Sequence, residues 1–401
     1  MQGPLRILAI LNGSVRGYAG GDLHTVAVLN QWVAANQVDL FLPWASSPEV
    51  SRLLRPEVRA TRRTAPHQTP SRLVLLALFT LRLFATCAYV LSRRGRWDVV
   101  IASSHFPYDA IPMLLAGASR AAGVYWHHHL PAVRVRASWV DGLVRLSESL
   151  LAKALSKTQV RIFTGNSETR DWLVGKGVPA NAIALTPNGP SFLAGPLVDS
   201  APPTDWVVHA YEGKLFVLYC ARLSNLKGAG DLPSIARNLI ASGARPQIVV
   251  CGEGGSEAIA ARRALADLEM TGDVRFLGFV QESTKKWLLQ NAHVLIAPSY
   301  EEGWGLTVSD GVASGTWVVA YDLPALRESC PVGPIFVPVG DVDAFSHATV
   351  ECLGKRRPGM SSGGPKHDWA RIASDDLQFV LGQVPAELTW RDSPVASSPQ
   401  R

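Results

Sequence analysis

Between Pro298 and Glu328 the chain reads PSYEEGWGLTVSDGVASGTWVVAYDLPALRE. Two carboxylates, Glu302 and Asp310, stand eight residues apart, and two glycines, Gly303 and Gly305, sit just before a helix-like segment, Leu306–Ala313. The preceding apolar run, Ala292–Ala297, reads as a buried strand, and a second short strand, Trp317–Ala320, follows. Glycines at a strand-to-helix turn let the backbone approach a ligand closely. The unbonded N–H groups at the helix start, reinforced by the helix dipole, suit a phosphate. The stretch thus offers an anion cradle with an acid on either side. That suits a nucleotide-sugar, with phosphates on the helix end and hydroxyls on the carboxylates.

Other residues could serve the same ligand. Arg222 and Lys227, in ARLSNLKGAGDL, follow the apolar strand Leu215–Cys220, and two cations after a strand end suit two phosphates. A second Gly-rich turn, Gly252-Glu253-Gly254-Gly255, follows the strand Gln247–Cys251. Near the start, the strand Leu5–Leu11 runs through NGSVRGYAGG into a helix, Asp22–Ala35. These glycines do not fit G-x-G-x-x-G, so a dinucleotide site is poorly supported. His127, His128 and His129 are adjacent, so they do not share a face, and no Cys or carboxylate cluster lies nearby to complete a metal site.

Taken in order, these residues resemble the donor-site signature of the retaining GT-B glycosyltransferases of group 1, P-S-x-x-E-G-F-G-L-x-x-x-E-A-M-A-x-G-x-P-V-V-A with a downstream Pro-Glu-like pair. Pro298, Ser299, Glu302, Gly303, Gly305, Leu306, Ala313, Gly315, Val318, Val319 and Ala320 match. Trp304 replaces the Phe, Asp310 the second Glu of E-x7-E, and Thr316-Trp317 the small residue and Pro. Arg222 and Lys227 match the family's G-R-L-x-x-x-K-G, and Pro187-Asn188-Gly189 its P-N-G at the end of the first domain. Phe336–Asp341 resembles its final V-P-P-G-D.

The resemblance implies roles. Arg222 and Lys227 would hold the donor diphosphate, with Gly303, Gly305 and Leu306 beside it. Glu302 would face the reacting sugar and Asp310 the ribose hydroxyls. Gly20 and Gly21, followed by His24 as in the family, would face the donor phosphate and the acceptor. VYWHHHLP aligns His128 with a family histidine that reaches the donor sugar, His127 being the alternative. The implied reaction is transfer of a hexosyl unit, with retention, from a nucleotide-sugar to a glycan or lipid-linked acceptor in polysaccharide or glycoconjugate biosynthesis. It needs no metal and no cofactor besides the donor. A non-catalytic nucleotide-sugar-binding subunit is the alternative that Asp310 and Thr316-Trp317 keep open. A GT-B-fold epimerase shares the fold but not the R-x4-K and E-x7-E pairing.

The chain must position these residues from two cores, since 401 residues with 47% hydrophobic and 18% charged residues suit two globular domains. Strands alternate with helices, which predicts an α/β fold of two Rossmann-like domains facing a cleft. Residues 1–189 form the acceptor-side domain, 190–213 a Pro-rich linker and 214–384 the donor domain, with a disordered tail at 385–401. In the first domain, Val38–Leu42, Trp97–Ser103, Gly123–Trp126, Val160–Thr164 and Ile183–Leu185 read as strands. Leu73–Leu91, Tyr108–Ala122 and Ser138–Lys157 read as helices, and Asn166-Ser167-Glu168 caps another. In the second, the strand Val274–Leu277 and the helices Glu282–Gln290, Asp343–Leu353 and Asp368–Leu381 are expected, the last crossing back to the first domain.

Charge and cysteine usage narrow the setting. Ten arginines against one glutamate between Arg52 and Arg96 make that segment +9, which leaves −3 for the rest of a chain whose total is +6. Such concentration argues against a diffuse nucleic-acid surface. It surrounds Leu73–Leu91, an apolar segment interrupted by Arg82, which reads as a crossover helix packed on the sheet or dipping into an anionic membrane surface. Five widely spaced cysteines give no disulfide framework and suit a reducing compartment. MQGPLRILAIL reads as a first strand rather than a signal peptide. The expected location is therefore cytoplasmic, peripheral on the inner face of the plasma membrane.

Overall fold

Runs such as VVIA and FVLYC show no polar alternation, and both are buried along their whole length. Strands covered on both faces build parallel sheets flanked by helices. A computed structural model, described here for residues 3–13, 20–43, 48–61, 72–127, 139–195, 199–202, 215–358 and 367–385, has two such sheets. The first holds β1 (Arg6–Ile10), β2 (Gln37–Phe41), β3 (Arg59–Ala60), β4 (Val99–Ala102), β5 (Ala121–Tyr125), β6 (Arg161–Thr164) and β7 (Ile183–Leu185), in the order β3-β2-β1-β4-β5-β6-β7. The second holds β8 (Phe216–Cys220), β9 (Gln247–Cys251), β10 (Val274–Gly278), β11 (Val294–Ala297), β12 (Trp317–Tyr321) and β13 (Pro334–Val337), in the order β10-β9-β8-β11-β12-β13. Both are the doubly wound α/β sheets expected. The strand order reverses between β1 and β4 and between β8 and β11, where such sheets open crevices at their carboxyl ends.

Most expected elements lie within a residue or two of the observed ones, and Leu306–Ala313 is a helix over those residues. The helix expected over Tyr108–Ala122 is shorter. It spans Pro107–Leu115, and Gly117, at φ 62°, turns the chain into β5. Two edge strands were not legible: β3 has two residues, and β13 opens on Pro334, tolerated because an edge strand can spare a ladder donor. Residues 190–195, expected as linker, are ordered, with a 3-10 turn at Ser191–Leu193.

The helix Trp369–Val380 does cross back. Trp369, Ile372, Phe379 and Val380 join the core of the first sheet, and Trp32 Nε1 donates to the Ala373 carbonyl at 2.6 Å. The helix Arg72–Leu91 packs on the same domain in an unusual sense, its mid-helix arginine, Arg82, facing in and many apolar residues facing out. Arg82 is 2% exposed and donates to the Asn12 carbonyl, while Leu81 and Phe84 are exposed. No helix among the described residues is long and apolar enough to cross a membrane.

Beside Arg82, buried Asp109 accepts from the Asn12 amide at 2.8 Å and from the hydroxyls of Ser103 and Ser104. Burial pushes its carboxyl up to about 7, and those donors only partly oppose it. An acid whose folded pKa exceeds its unfolded value binds more protons when folded, so its contribution to stability falls as pH rises from about 4 to about 7. Asp109→Asn removes that term. Urea titrations should show the variant gaining stability relative to wild type between pH 5 and pH 8; a constant difference would show that Asp109 does not titrate in this window.

Candidate active site

β8 and β11 are neighbours at the second switch point, and the loops leaving their carboxyl ends meet. After β8 comes a 3-10 turn, Asn225–Lys227, held by Tyr219, whose hydroxyl donates to the carbonyls of Arg222 at 3.2 Å and Lys227 at 3.0 Å. Gly228 closes the turn at φ 76°, and a Cβ there would lie 2.0 Å from the Pro298 carbonyl oxygen. The two loops therefore touch backbone to backbone, and the Tyr300 amide donates to the Leu226 carbonyl at 2.9 Å.

That contact brings the expected cation and acid together. Lys227 Nζ lies 2.8 Å from Glu302 Oε2 and donates to the Glu301 carbonyl at 2.9 Å. Ser299 Oγ donates to Glu302 Oε1 at 2.8 Å, so both carboxylate oxygens are held. Neither side chain is sealed off, Lys227 being 22% and Glu302 15% exposed. Burial raises the neighbouring Glu301 carboxyl above its ordinary value, with Lys227 opposing. Arg222 is exposed at the same sheet edge. Gly303 and Gly305 lead into the helix Leu306–Ala313, with Gly305 as N-cap in the left-handed region at φ 84°, where a Cβ would lie 2.2 Å from Leu326 Cδ2.

The first domain closes the other side. A Cβ at Gly20 would lie 2.9 Å from Leu306 Cδ1, and one at Gly21 2.4 Å from the His127 ring. His127 Nε2 pairs with the Ser103 carbonyl oxygen at 2.8 Å and its ring stacks on Tyr125. His128, expected to reach the donor sugar, lies outside the described residues; His127, its alternative, packs on Gly21 in the Gly-rich segment. Asn166 caps the helix Ser167–Gly175 through Thr169 and also donates to the Gly303 carbonyl at 2.7 Å. Glu328 accepts from the Ser167 amide and hydroxyl, each at 2.8 Å.

Asp310 departs from its expected place. It is 1% exposed and accepts from the Ser191 amide at 2.8 Å and from the Ser191 hydroxyl, with Lys285 Nζ 3.7 Å away. In this conformation Ser191 donates to the carboxylate that was expected to hold ribose hydroxyls. Burial raises the Asp310 carboxyl, opposed by Lys285. Among the described residues, no group of three or more His, Cys, Asp or Glu could hold a metal ion.

Comparison with known proteins gives this geometry a family. Residues 214–355 match the family model described as Glycosyl transferases group 1. The match is confined to the second domain. The chain is 33% identical over 222 residues to a phosphatidyl-myo-inositol mannosyltransferase of Mycolicibacterium smegmatis, covering 52% of this chain and 54% of the relative, about half of its length. Sucrose-phosphate synthase from Thermosynechococcus elongatus shares the fold at a TM-score of 0.66 and 16% identity, over 95% of each chain. Anabaena Alr3699/HepE, solved in complex with UDP and glucose, shares it at 0.62 and 16%, over 94% of this chain and 95% of that one. The two parallel α/β domains thus share the GT-B fold.

Around this site, several contacts escaped the motif reading. Ser299 lies inside the matched signature, and its hydroxyl fixes Glu302. His24 is buried, its Nδ1 2.9 Å from Asn188 Oδ1 and its Nε2 3.4 Å from Asp376 Oδ2. Tyr125 donates to the same Asp376 oxygen at 2.7 Å. No local pattern joins Asp376 to His24, because they are separated by 352 positions. The contacts of Asn166 with Gly303, of Glu328 with Ser167, and of Ser191 with Asp310 and Lys285 were equally invisible, since they cross the domain seam.

The backbone contact at Gly228 is testable. Gly228→Ala forces a side chain into both the left-handed region and the Pro298 carbonyl, and should cost more than about 1 kcal/mol. Gly230→Ala, where the nearest atom to a new Cβ is Asn225 Oδ1 at 3.5 Å, is the control. Thermal melting should separate the two variants; equal melting temperatures would show that the loops do not meet as described.

Proposed function

We propose that the chain transfers a hexosyl unit from a nucleotide-sugar to a lipid-linked or glycan acceptor, with retention at the anomeric carbon and without a metal. The observation that carries this reading is the Lys227–Glu302–Ser299 cluster beside the helix start at Gly305. Leaving a nucleoside diphosphate requires positive charge where negative charge develops. Lys227 and the amides at Gly305-Leu306 supply it in a partly buried setting, where preorganised donors are most effective, and Arg222 adds an exposed cation at the same edge. Glu302, on the same ammonium, is suited to face the electron-poor sugar. The mannosyltransferase named above and the UDP-bound Anabaena structure support a nucleotide-sugar donor and a glycoconjugate product.

Thermal shifts with UDP, GDP and ADP should identify the base, since a ligand that binds the folded state raises the melting temperature. Arg222→Ala and Lys227→Ala should each reduce kcat/KM by roughly 30- to 1000-fold, or about 2–4 kcal/mol of transition-state stabilisation. Near-wild-type kcat/KM in both variants would remove the diphosphate assignment. Nucleotide binding without turnover across UDP-, GDP- and ADP-sugars would favour the non-catalytic subunit instead.

The acceptor side is read as resting on an anionic lipid surface. On the helix Arg72–Leu91, Val74, Ala77, Leu81, Phe84, Ala88 and Leu91 are exposed at helical spacing, and Arg93, Arg94 and Arg96 are exposed just beyond it. An apolar stripe with a basic rim matches the interface of an anionic bilayer, where each basic residue contributes about 1 kcal/mol. Replacing Arg93, Arg94 and Arg96 by Gln, or adding salt, should release the protein from anionic liposomes in sedimentation. Wild type left in the supernatant at low salt would end this reading.

A further inference from the structure

We propose, building on the donor reading above, that Tyr219 is a positioning residue: its hydroxyl sets the span between Arg222 and Lys227, and with it the preference of the site for a diphosphate over a monophosphate.

Tyr219 lies in β8, one residue before the strand ends, and is fully buried in the core of the second domain. Its phenol oxygen meets the loop that leaves the strand. There the one hydroxyl hydrogen is shared between two carbonyls, that of Arg222 at 3.2 Å and that of Lys227 at 3.0 Å. These are the first and last residues of the R-x4-K run, so residues 222–227 close on a single buried point. Backbone bonds complete the closure. The Ser224 amide donates to the Arg222 carbonyl at 2.9 Å, the Lys227 amide to the Ser224 carbonyl at 3.0 Å, and the Gly228 amide to the Asn225 carbonyl at 3.1 Å. Burial raises the Tyr219 pKa above its ordinary value, with Cys220 and Glu302 adding to it, so the hydroxyl keeps its proton and remains the donor.

The two cations are anchored in different ways. The Lys227 ammonium is held at its tip, by Glu302 at 2.8 Å and the Glu301 carbonyl at 2.9 Å. Arg222 is exposed, so where its guanidinium can reach follows from where its backbone is fixed. A monophosphate is served by one cation. A diphosphate engages both only if they already stand the right distance apart, because ordering them on binding costs affinity. Tyr219→Phe keeps the packing of the core, since the ring is unchanged, and removes only the donor that the two carbonyls share. Tyr321 supplies the control. It is equally buried in the same core, and its hydroxyl donates to Asp231 Oδ2 at 2.6 Å.

The test uses the full chain and compares wild type with Tyr219→Phe and Tyr321→Phe. The first readout is amide hydrogen exchange at Lys227, Gly228 and Ala229, without ligand. Tyr219→Phe should speed it by about tenfold, the scale of one lost hydrogen bond, and Tyr321→Phe should not. The second readout is the affinity of UDP, GDP and ADP against UMP, GMP and AMP. For the base that wild type prefers, Tyr219→Phe should weaken the diphosphate by about tenfold and leave the monophosphate nearly unchanged. Tyr321→Phe should leave the ratio of the two affinities as it is in wild type. Unchanged exchange in Tyr219→Phe overturns the proposal. So do mono- and diphosphate affinities that fall by the same factor, which would make the hydroxyl a support of the fold alone, and a ratio that falls equally in Tyr321→Phe. Should Tyr219→Phe fail to fold, Tyr219→Met, which fills the core with a flexible side chain and no hydroxyl, must move both readouts the same way. If no nucleotide binds wild type, the donor reading fails and this proposal with it. If a diphosphate binds wild type and Tyr219→Phe leaves the ratio unchanged, the donor reading stands and this proposal alone fails.

Discussion

Each strand in both sheets runs parallel to its neighbours, so every loop that follows a strand emerges at a common edge. This constraint underlies the rest of the molecule. At a switch point, neighbouring strands send their connections in opposite directions, and the loops between them must satisfy their own backbone groups. The loops after β8 and β11 do so against each other, with Gly228 pressed on the Pro298 carbonyl and the Tyr300 amide on Leu226. Lys227 and Glu302 meet as a consequence. Their ion pair does not build the site; the backbone contact builds it and the ion pair occupies it.

Two kinds of contact hold the domains to each other, and their strengths differ. The seam at the site is polar: Asn166 to Gly303, and Ser167 to Glu328. Each such hydrogen bond contributes only about 0.5–1.5 kcal/mol net, because water competes for the same groups. The closing helix Trp369–Val380 is different. It buries Trp369, Ile372, Phe379 and Val380 against the first sheet, and a fully buried large apolar side chain is worth about 1.5–3 kcal/mol. The magnitudes place the durable connection at the closing helix and the adjustable one at the mouth of the cleft.

The helix Arg72–Leu91 inverts the ordinary pattern for a physical reason. Its interior arginine, Arg82, faces a carbonyl, that of Asn12, just after β1, and Asp109 lies close enough to oppose the effect of burial on it. Burial lowers the Arg82 pKa to about 10, so the guanidinium stays charged at neutral pH. With the charge turned inward, the apolar positions Leu81 and Phe84 are left outside. The same helix thus braces the first loop of the Gly-rich segment and presents an apolar stripe to the surroundings.

How much of this was legible in the residues follows from the range of each interaction. The pattern of apolar runs and glycine-bounded turns is local, and it determined two α/β domains, most strands to within a residue or two and the helix Leu306–Ala313. The spacing of Arg222 and Lys227, and of Glu302, Gly303 and Gly305, is likewise local, and it placed these residues together at the carboxyl edge of the second sheet. What those residues touch was decided elsewhere. Asp310 stands eight residues from Glu302 in the sequence, yet the helix turns its carboxylate away from Glu302 and toward Ser191, 119 positions distant. Asp376 reaches His24 and Tyr125 only because the closing helix returns across the chain. Spacing along one element fixes which residues share a loop or a face. Which buried charge meets which donor depends on how distant segments pack, and only the tertiary structure decides that.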